Sequence, residues 1–252
     1  MNPFGFDKYT AKYLVAVKDG GGSAAITVTL PWKLSQFTAD LMRYSSRAII
    51  SVYPFIGAVQ AAHLIDLFGR NSLTQVGTIT HNSNGVTGDG TSGILYIGGS
   101  KLPASIFPNL NDFSFGAYSR TNTTSDTQAE MGCFFGSRMY FAARTVAGNV
   151  VGYAANNTLI QVAVANSQGL FQVSRTSSSN SGIVKNGVLV GSSVVAPTTF
   201  PGISMTICAA VGQAYSARNL AFAYLGTGSG VTSYPDFYTT VQNFQIFLAR
   251  QV

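Results

Sequence analysis

Lys185-Asn186-Gly187-Val188 constrains this chain more than any other short stretch in it. A two-residue hairpin turn needs positive φ at both central positions, and Asn-Gly is the pair that adopts this most readily. Val184 on one side and Val188 to Val190 on the other are strand formers, and Ser174-Arg175-Thr176 with a serine-rich run precedes them. The unit reads strand, polar crossover, tight turn, strand. It belongs to a series that begins at Ala48. Further strand-like segments are Ile49–Val52, Leu73–Ile79, Ile94–Ile97, Phe113–Arg120, Met131–Phe135, Met139–Arg144 and Asn149–Tyr153. They continue with Leu159–Ala165, Gly169–Arg175, Gly182–Lys185, Ser204–Ala210 and Ala221–Gly226. Turn residues separate them at intervals of roughly 8–12 residues, the spacing of an antiparallel sandwich. No fixed-period repeat is present, which argues against a solenoid or a propeller.

Three parts follow along the chain. In residues 1–31, Tyr13, Val15 and Val17 alternate, as do Ile26, Val28 and Leu30, around Asp19-Gly20-Gly21-Gly22-Ser23. This pattern predicts a β-hairpin with a glycine loop, ended by Pro31. An isolated hairpin is only marginally stable, so it is expected to serve in attachment or oligomerisation. Residues 32–47 carry a connecting helix, with Leu34, Phe37, Leu41 and Tyr44 on one stripe, Ser35 as a cap and Trp32 as a core anchor at its start. Residues 48–252 form the sandwich, closed by a helix over 233–249. Thr232 or Ser233 would cap that helix, Pro235 suits its first turn, and Phe237, Val241, Phe244 and Leu248 make its apolar stripe.

Charged residues make up 10% of the 252, against about 25% in an ordinary globular protein. So few charges give little repulsion between copies, which suits a subunit of an assembly and predicts a homo-oligomer. The net charge is +6, but the basic residues are scattered and form no tail, which excludes sequence-specific nucleic-acid binding. No apolar run of about 18 residues occurs, so no membrane insertion is expected. Met1 to Lys8 lack a basic head followed by an apolar run, so no signal peptide is read there. Cys133 and Cys208 lie in apolar contexts and read as buried thiols, with a disulfide as the alternative if their strands are neighbours.

The residues give little chemistry. Glycosidases need two carboxylates at set separation, and only one glutamate, Glu130, accompanies eight aspartates. Asp126 and Glu130 read as a solvated loop. His63 reads as a packed histidine, and His81 as one bonded within its own Asn/Ser/Gly turn. No Gly-x-Ser-x-Gly elbow or complete phosphate loop is present. Calcium is conceivable only through Asp89 or Asp126 with loop carbonyls. No catalytic residue, cofactor or metal is assigned.

Several segments resemble a known group when taken in order: Val52-Tyr53-Pro54-Phe55-Ile56-Gly57, Thr80 to Val86 with Gly88-Asp89-Gly90-Thr91-Ser92-Gly93, and Phe113 to Tyr118. Gly169 to Arg175 with Asn186-Gly187, Phe222 to Gly226 and the terminal Val241 to Val252 complete the set. The set resembles the concanavalin A-like, laminin-G-type jelly-roll domains of tailed-bacteriophage structural proteins. The resemblance covers residues 48–252 and implies a mainly β, antiparallel jelly-roll sandwich. It further implies a non-enzymatic virion protein, a capsid decoration, head-fibre or tail component, whose partners are other virion proteins. The alternative is a receptor-binding protein or adhesin for a host-surface glycan on the same scaffold. Sugars are held by aromatic faces and amide hydrogen bonds on sandwich loops, which makes Tyr140, Tyr153, Asn156, Asn157 and Tyr215 the candidate glycan-binding residues.

Overall fold

A computed structural model of the chain describes residues 7–22, 29–43, 48–211, 214–231 and 233–252. Its body is two antiparallel sheets laid face to face. The first has the order β13 (Val188–Ser193), β12 (Asn180–Lys185), β11 (Gly169–Ser177), β6 (Phe113–Ser119), β17 (Asn219–Gly226), β4 (Gly85–Gly88) and β3 (Ile79–Asn82), and β1 (Ile49–Tyr53) also pairs with β17. The second has the order β10 (Ile160–Ala163), β9 (Asn149–Asn156), β8 (Ser137–Ala142), β7 (Met131–Phe135), β14 (Thr206–Ile207), β5 (Ile94–Ile97) and β2 (Leu73–Val76). Two short strands, β15 (Ala209–Val211) and β16 (Ala214–Tyr215), extend from β7.

The period-two alternation of the strands decides which side chains meet. Phe113, Phe115, Phe171, Val173, Ala223 and Leu225 of the first sheet face Met131, Met139, Phe141 and Val150 of the second across one buried core. The intervening residues of the first sheet point the other way, into a helix layer. There Tyr118, Leu170, Phe222 and Tyr224 pack against α1 (Lys8–Val17), α2 (Leu30–Met42) and the C-terminal α5 (Tyr234–Phe247). Phe37 of α2 stacks on Phe244 of α5 at 4.2 Å between centroids, and Phe237 meets Tyr224 at 4.6 Å. The first sheet is therefore covered on both faces. Among the described residues, helices cover neither face of the second sheet, and only its inner face is packed in the core. Two single-turn helices, α3 (Gln60–His63) and α4 (Pro103–Ile106), sit in loops between strands.

The Asn-Gly hairpin is as expected: Asn186 has φ +50° and Gly187 φ +79°, joining β12 to β13. Leu73–Ile79 is not one strand. Gly77, at φ +70°, splits it into β2 and β3, which belong to different sheets. Ser204–Ala210 likewise breaks at Cys208, whose φ is +63°. β4 escaped the sequence reading because two of its four residues are glycine.

The expected N-terminal hairpin is overturned over its first arm. Residues 8–17 are helix α1, continued by a π-helical turn over Lys18–Gly22. The Asp7 carboxylate caps it, accepting from the Tyr9 and Thr10 N–H groups at 2.9 Å each. Thr10, Tyr13, Leu14 and Val17 are buried together, while Val15 is 59% exposed. Tyr13 and Val17 thus share a helical face that excludes Val15, and burial of that face outweighs the β-propensity of tyrosine and valine. Of the second arm, Ile26 and Val28 lie outside the described residues, and Leu30 begins α2. Pro31 opens that helix instead of ending a strand, consistent with its tolerance in a first turn.

The stripes of α2 and α5 are borne out at Leu34, Phe37, Leu41, Phe237, Val241 and Phe244. Tyr44 and Thr232 lie outside the described residues. Ser35 does not cap α2; its hydroxyl donates to Asp7 at 3.1 Å and ties α2 to α1. Trp32 is no core anchor: it is 65% exposed on the first turn of α2.

Candidate functional site

The bare sheet carries an aromatic and basic patch built by the β7–β8 hairpin and β9. Gly136, at φ +76°, makes the tip between Phe135 and Ser137. Register then sets the neighbours. Phe134 lies opposite Arg138, and Tyr140 lies opposite Tyr153. The Arg138 guanidinium sits over the Phe134 ring at 4.7 Å and over the Tyr153 ring at 4.9 Å, and its Nη1 donates to the Tyr153 hydroxyl at 2.9 Å. The Tyr140 and Tyr153 rings are 4.9 Å apart and tilted by 40°. Burial, and then the neighbouring Tyr153, push the Tyr140 hydroxyl up to about 12. The Tyr140 phenol is therefore a neutral hydrogen-bonding group at physiological pH. At the tip, Phe135 is 65% exposed. Asn157 is exposed beside it and donates from Nδ2 to the Gly136 carbonyl at 3.1 Å.

Of the five sequence candidates, the structure brings Tyr140, Tyr153 and Asn157 together. Asn156 is buried. Its Nδ2 donates to the Val195 and Ala196 carbonyls, and its Oδ1 accepts from the Thr158 N–H, so it holds the loop. Tyr215 is on β16, separated from Tyr140 by β15 and β7. Phe134, Phe135 and Arg138 were missed. The alternation of Arg138 with Tyr140 along one strand, behind a Phe-Phe-Gly turn, was the available signal.

The carboxylates are engaged elsewhere. Glu130 does not lie in a solvated loop. It is fully buried, with Oε1 accepting from Arg218 Nη1 and Ser216 Oγ, and Oε2 accepting from the Ala143 N–H. Arg218, also fully buried, donates from Nη2 to the Thr123 and Arg144 carbonyls at 3.0 and 2.8 Å. Asp66 accepts four backbone N–H groups, from Val52, Phe68, Arg70 and Asn71. Asp89 accepts from the N–H groups of Thr91, Ser92 and Gly93 and from the Ser92 hydroxyl, which holds its carboxyl far below the usual range and makes it a turn residue. Asp126 accepts from the Val146 N–H.

His63 is buried as expected, but His81 does not bond within its turn. The two Nδ1 atoms are 3.1 Å apart, and His81 Nε2 is 2.7 Å from Gln75 Oε1. Gln75 Nε2 donates to the Gly77 carbonyl, which leaves its Oε1 as the acceptor for His81 Nε2–H. His81 Nδ1 is then a lone pair, and His63 Nδ1–H is its donor. Burial first, then His81 and Arg250, lower the His63 pKa to about 3. Cys133 and Cys208 are buried free thiols.

No family model matches the chain, and no curated protein matches it in sequence. Solved structures do match in fold. One concerns the entry of botulinum neurotoxin type C into cells through two ganglioside molecules: TM-score 0.58 at 13% identity, over 80% of this chain and 53% of that one. The binding domain of botulinum neurotoxin DC in complex with SialylT matches with a TM-score of 0.53 at 14% identity, over 80% of this chain and 52% of that one. Domain 4 of a GH43 extracellular arabinanase from Geobacillus stearothermophilus, in complex with arabinotriose, gives 0.50 at 14% identity, over 76% of this chain and 98% of that one. The chain thus spans about half the length of the neurotoxin chains it matches. The fold is a mainly β sandwich of two antiparallel sheets with few helices.

Proposed function

We propose that this chain is a non-enzymatic, lectin-like module of a bacteriophage particle, and that the patch around Arg138, Tyr140 and Tyr153 binds a glycan on the host surface. The observation that carries the binding half is the half-buried Phe134, Arg138 and Tyr140 on the outer face, backed by the buried Tyr153, with the exposed Phe135 and Asn157 at the hairpin tip beside them. Aromatic faces take the apolar side of a sugar ring, while Arg138 and Asn157 offer hydrogen bonds to its hydroxyls. The non-enzymatic half is supported by Glu130, Asp66 and Asp89, each of which has both carboxylate oxygens engaged in structural hydrogen bonds. The virion setting rests on the ordered motifs over residues 48–252 and on the low charge density.

A glycan array with the full chain tests the binding half, with Tyr140→Ala and Phe135→Ala as controls. Selective signal that both variants lose supports it. An array without signal, or signal that survives both substitutions, removes it and leaves a purely structural subunit of the particle. Hydrolysis of a polysaccharide by the wild-type chain would overturn the non-enzymatic half. Attachment and self-association are proposed for residues 1–31, of which the outward side of α1 at Val15 is a described part. Light scattering after size exclusion checks this: Val15→Glu should convert an oligomer into a monomer.

A further inference from the structure

A cavity of about 150 Å³ lies on the helix-layer side of the molecule, bounded by Ile56, Gly57, Ala58, Ser83, Leu248 and Arg250. Its backbone wall is unusual. Phe55, Gly57 and Ala58 all have positive φ, at +47°, +117° and +59°. Non-glycine residues in that region cost roughly 1–3 kcal/mol each and persist only where their surroundings hold them. Arg250 does the holding: Nη1 donates to the Phe55 carbonyl and Nη2 to the Pro54 carbonyl, both at 2.9 Å. Nε donates to Gln245 Oε1 at 3.1 Å.

A guanidinium has five N–H groups, and hydrogen bonds to described residues take three of those on Arg250. The side chain is 2% exposed, and among the described residues it is in no ion pair. Arg218, by contrast, is buried against Glu130. A buried charge without a counter-charge is costly. One unmet polar atom beside Arg250 is also a donor. Gln245 Nε2 is buried without an acceptor, although the same amide holds Arg250 through Oε1. Arg250, with two N–H groups not taken by described residues, lines the cavity and calls for an acceptor with negative charge.

We propose that this cavity binds the carboxylate of a small organic acid, with Arg250 as its counter-charge. A planar carboxylate matches the guanidinium fork. Among the described residues one cationic side chain, Arg250, lines the cavity, so a monoanion balances it and a phosphate dianion does not. Ile56, Ala58 and Leu248 suit the apolar remainder of such an acid. The proposal is independent of the glycan patch, which lies on the other sheet.

Full-length 15N-labelled protein titrated with sodium acetate, N-acetylneuraminate or sodium phosphate, against sodium chloride at matched ionic strength, tests it by NMR. Acetate should give saturable shifts at the Gly57 and Ala58 amides and at Arg250 Nε–H. Ser83→Trp, in an exposed turn, blocks the mouth without touching the hydrogen bonds of Arg250 and should weaken binding by about tenfold or more. Leu248→Trp should do the same, and serves where the first variant has a lowered Tm. Binding of acetate alone identifies a free acid as ligand; binding of the sugar acid as well identifies an acidic glycan terminus. The proposal is overturned by a lack of saturable shift with either acid, by phosphate binding more tightly than acetate, or by unchanged binding in both blocked variants.

Discussion

The two sheets use the same alternation and meet different surroundings. In the covered sheet, β6 buries all seven of its residues and β17 all but its first. In the bare sheet the central β8 alternates, with Arg138 and Tyr140 half-buried between the buried Ser137, Met139 and Phe141. The difference comes from α1, α2 and α5, which occupy the outer face of the covered sheet. A ligand-binding surface is therefore left to the bare sheet and to the loops at the margins of the helix layer. The comparison extends to buried arginines. Where β17 of the covered sheet and β7 of the bare sheet begin, Arg218 is neutralised by Glu130. In the covered sheet, Arg175 donates to the carbonyls of Ala154, Ser177, Ser178 and Val195 and to the Ser181 hydroxyl, with no carboxylate partner among the described residues. One site relies on charge pairing, the other on dipoles alone.

That contrast gives the largest expected effect. Arg218→Ala leaves the Glu130 carboxylate buried and unpaired, and should destabilise the fold by about 3–5 kcal/mol in urea unfolding. Replacing both partners, as in Glu130→Met with Arg218→Met, should recover most of that loss, because it removes the buried charge along with its partner. A double variant as unstable as the single one would mean that the hydrogen bonds from Arg218 to the Thr123 and Arg144 carbonyls matter more than the ion pair.

The helix layer gives the next test. Phe244→Ala removes a ring stacked between α2 and the covered sheet, and should cost about 3–4 kcal/mol. Phe135→Ala, at the tip of the bare sheet, should stay within about 0.5 kcal/mol. Equal losses at the two positions would erase the distinction between the sheets.

The pH dependence tests the margin of the helix layer. The folded-state pKa of His63 is depressed from 6.5 to about 3, so the unfolded chain binds the extra proton between those values. Its contribution to stability is complete above pH 6.5 and falls as the pH drops toward 3, with a slope approaching about 1.4 kcal/mol per pH unit. His63→Gln should flatten that part of the stability curve. A curve of unchanged slope would show that His63 is protonated in the fold and that its geometry with His81 differs.

The sandwich was legible because strands carry their own signals: alternation, β-branched residues and turn glycines. The apolar stripes of α2 and α5 were legible for the same reason. The N-terminal arm was not, because Tyr13, Val15 and Val17 alternate as a strand would, and only the cap at Asp7 and the surface waiting for Tyr13 and Val17 decide for a helix. Within the site, Tyr140, Tyr153 and Asn157 were legible by residue type. Arg138 was not, because its role depends on register with Phe134 and Tyr153. Glu130 and Asn156 were misplaced for one reason: their partners, Arg218 and the Val195 and Ala196 carbonyls, lie far along the chain.

Two hairpin glycines give the smallest and sharpest comparison. Gly187 joins β12 to β13 at φ +79°, and Gly136 joins β7 to β8 at φ +76°. The backbone strain of an added Cβ is therefore nearly the same, about 1–2 kcal/mol at either position. The surroundings differ. At Gly136 a Cβ meets nothing within 4 Å, whereas at Gly187 it comes within 2.9 Å of the Pro235 Cα and 3.1 Å of the Tyr234 carbonyl oxygen at the start of α5. Gly136→Ala should thus show the strain alone, and Gly187→Ala the strain plus the displacement of a helix end. Thermal unfolding of the two variants measures the difference directly. If the helix layer is firmly seated on the covered sheet, Gly187→Ala has the lower Tm. If the two fall equally, α5 yields at its first turn without cost, and the layer is held by the Phe37–Phe244 stack and the Phe237–Tyr224 contact and not by its helix ends.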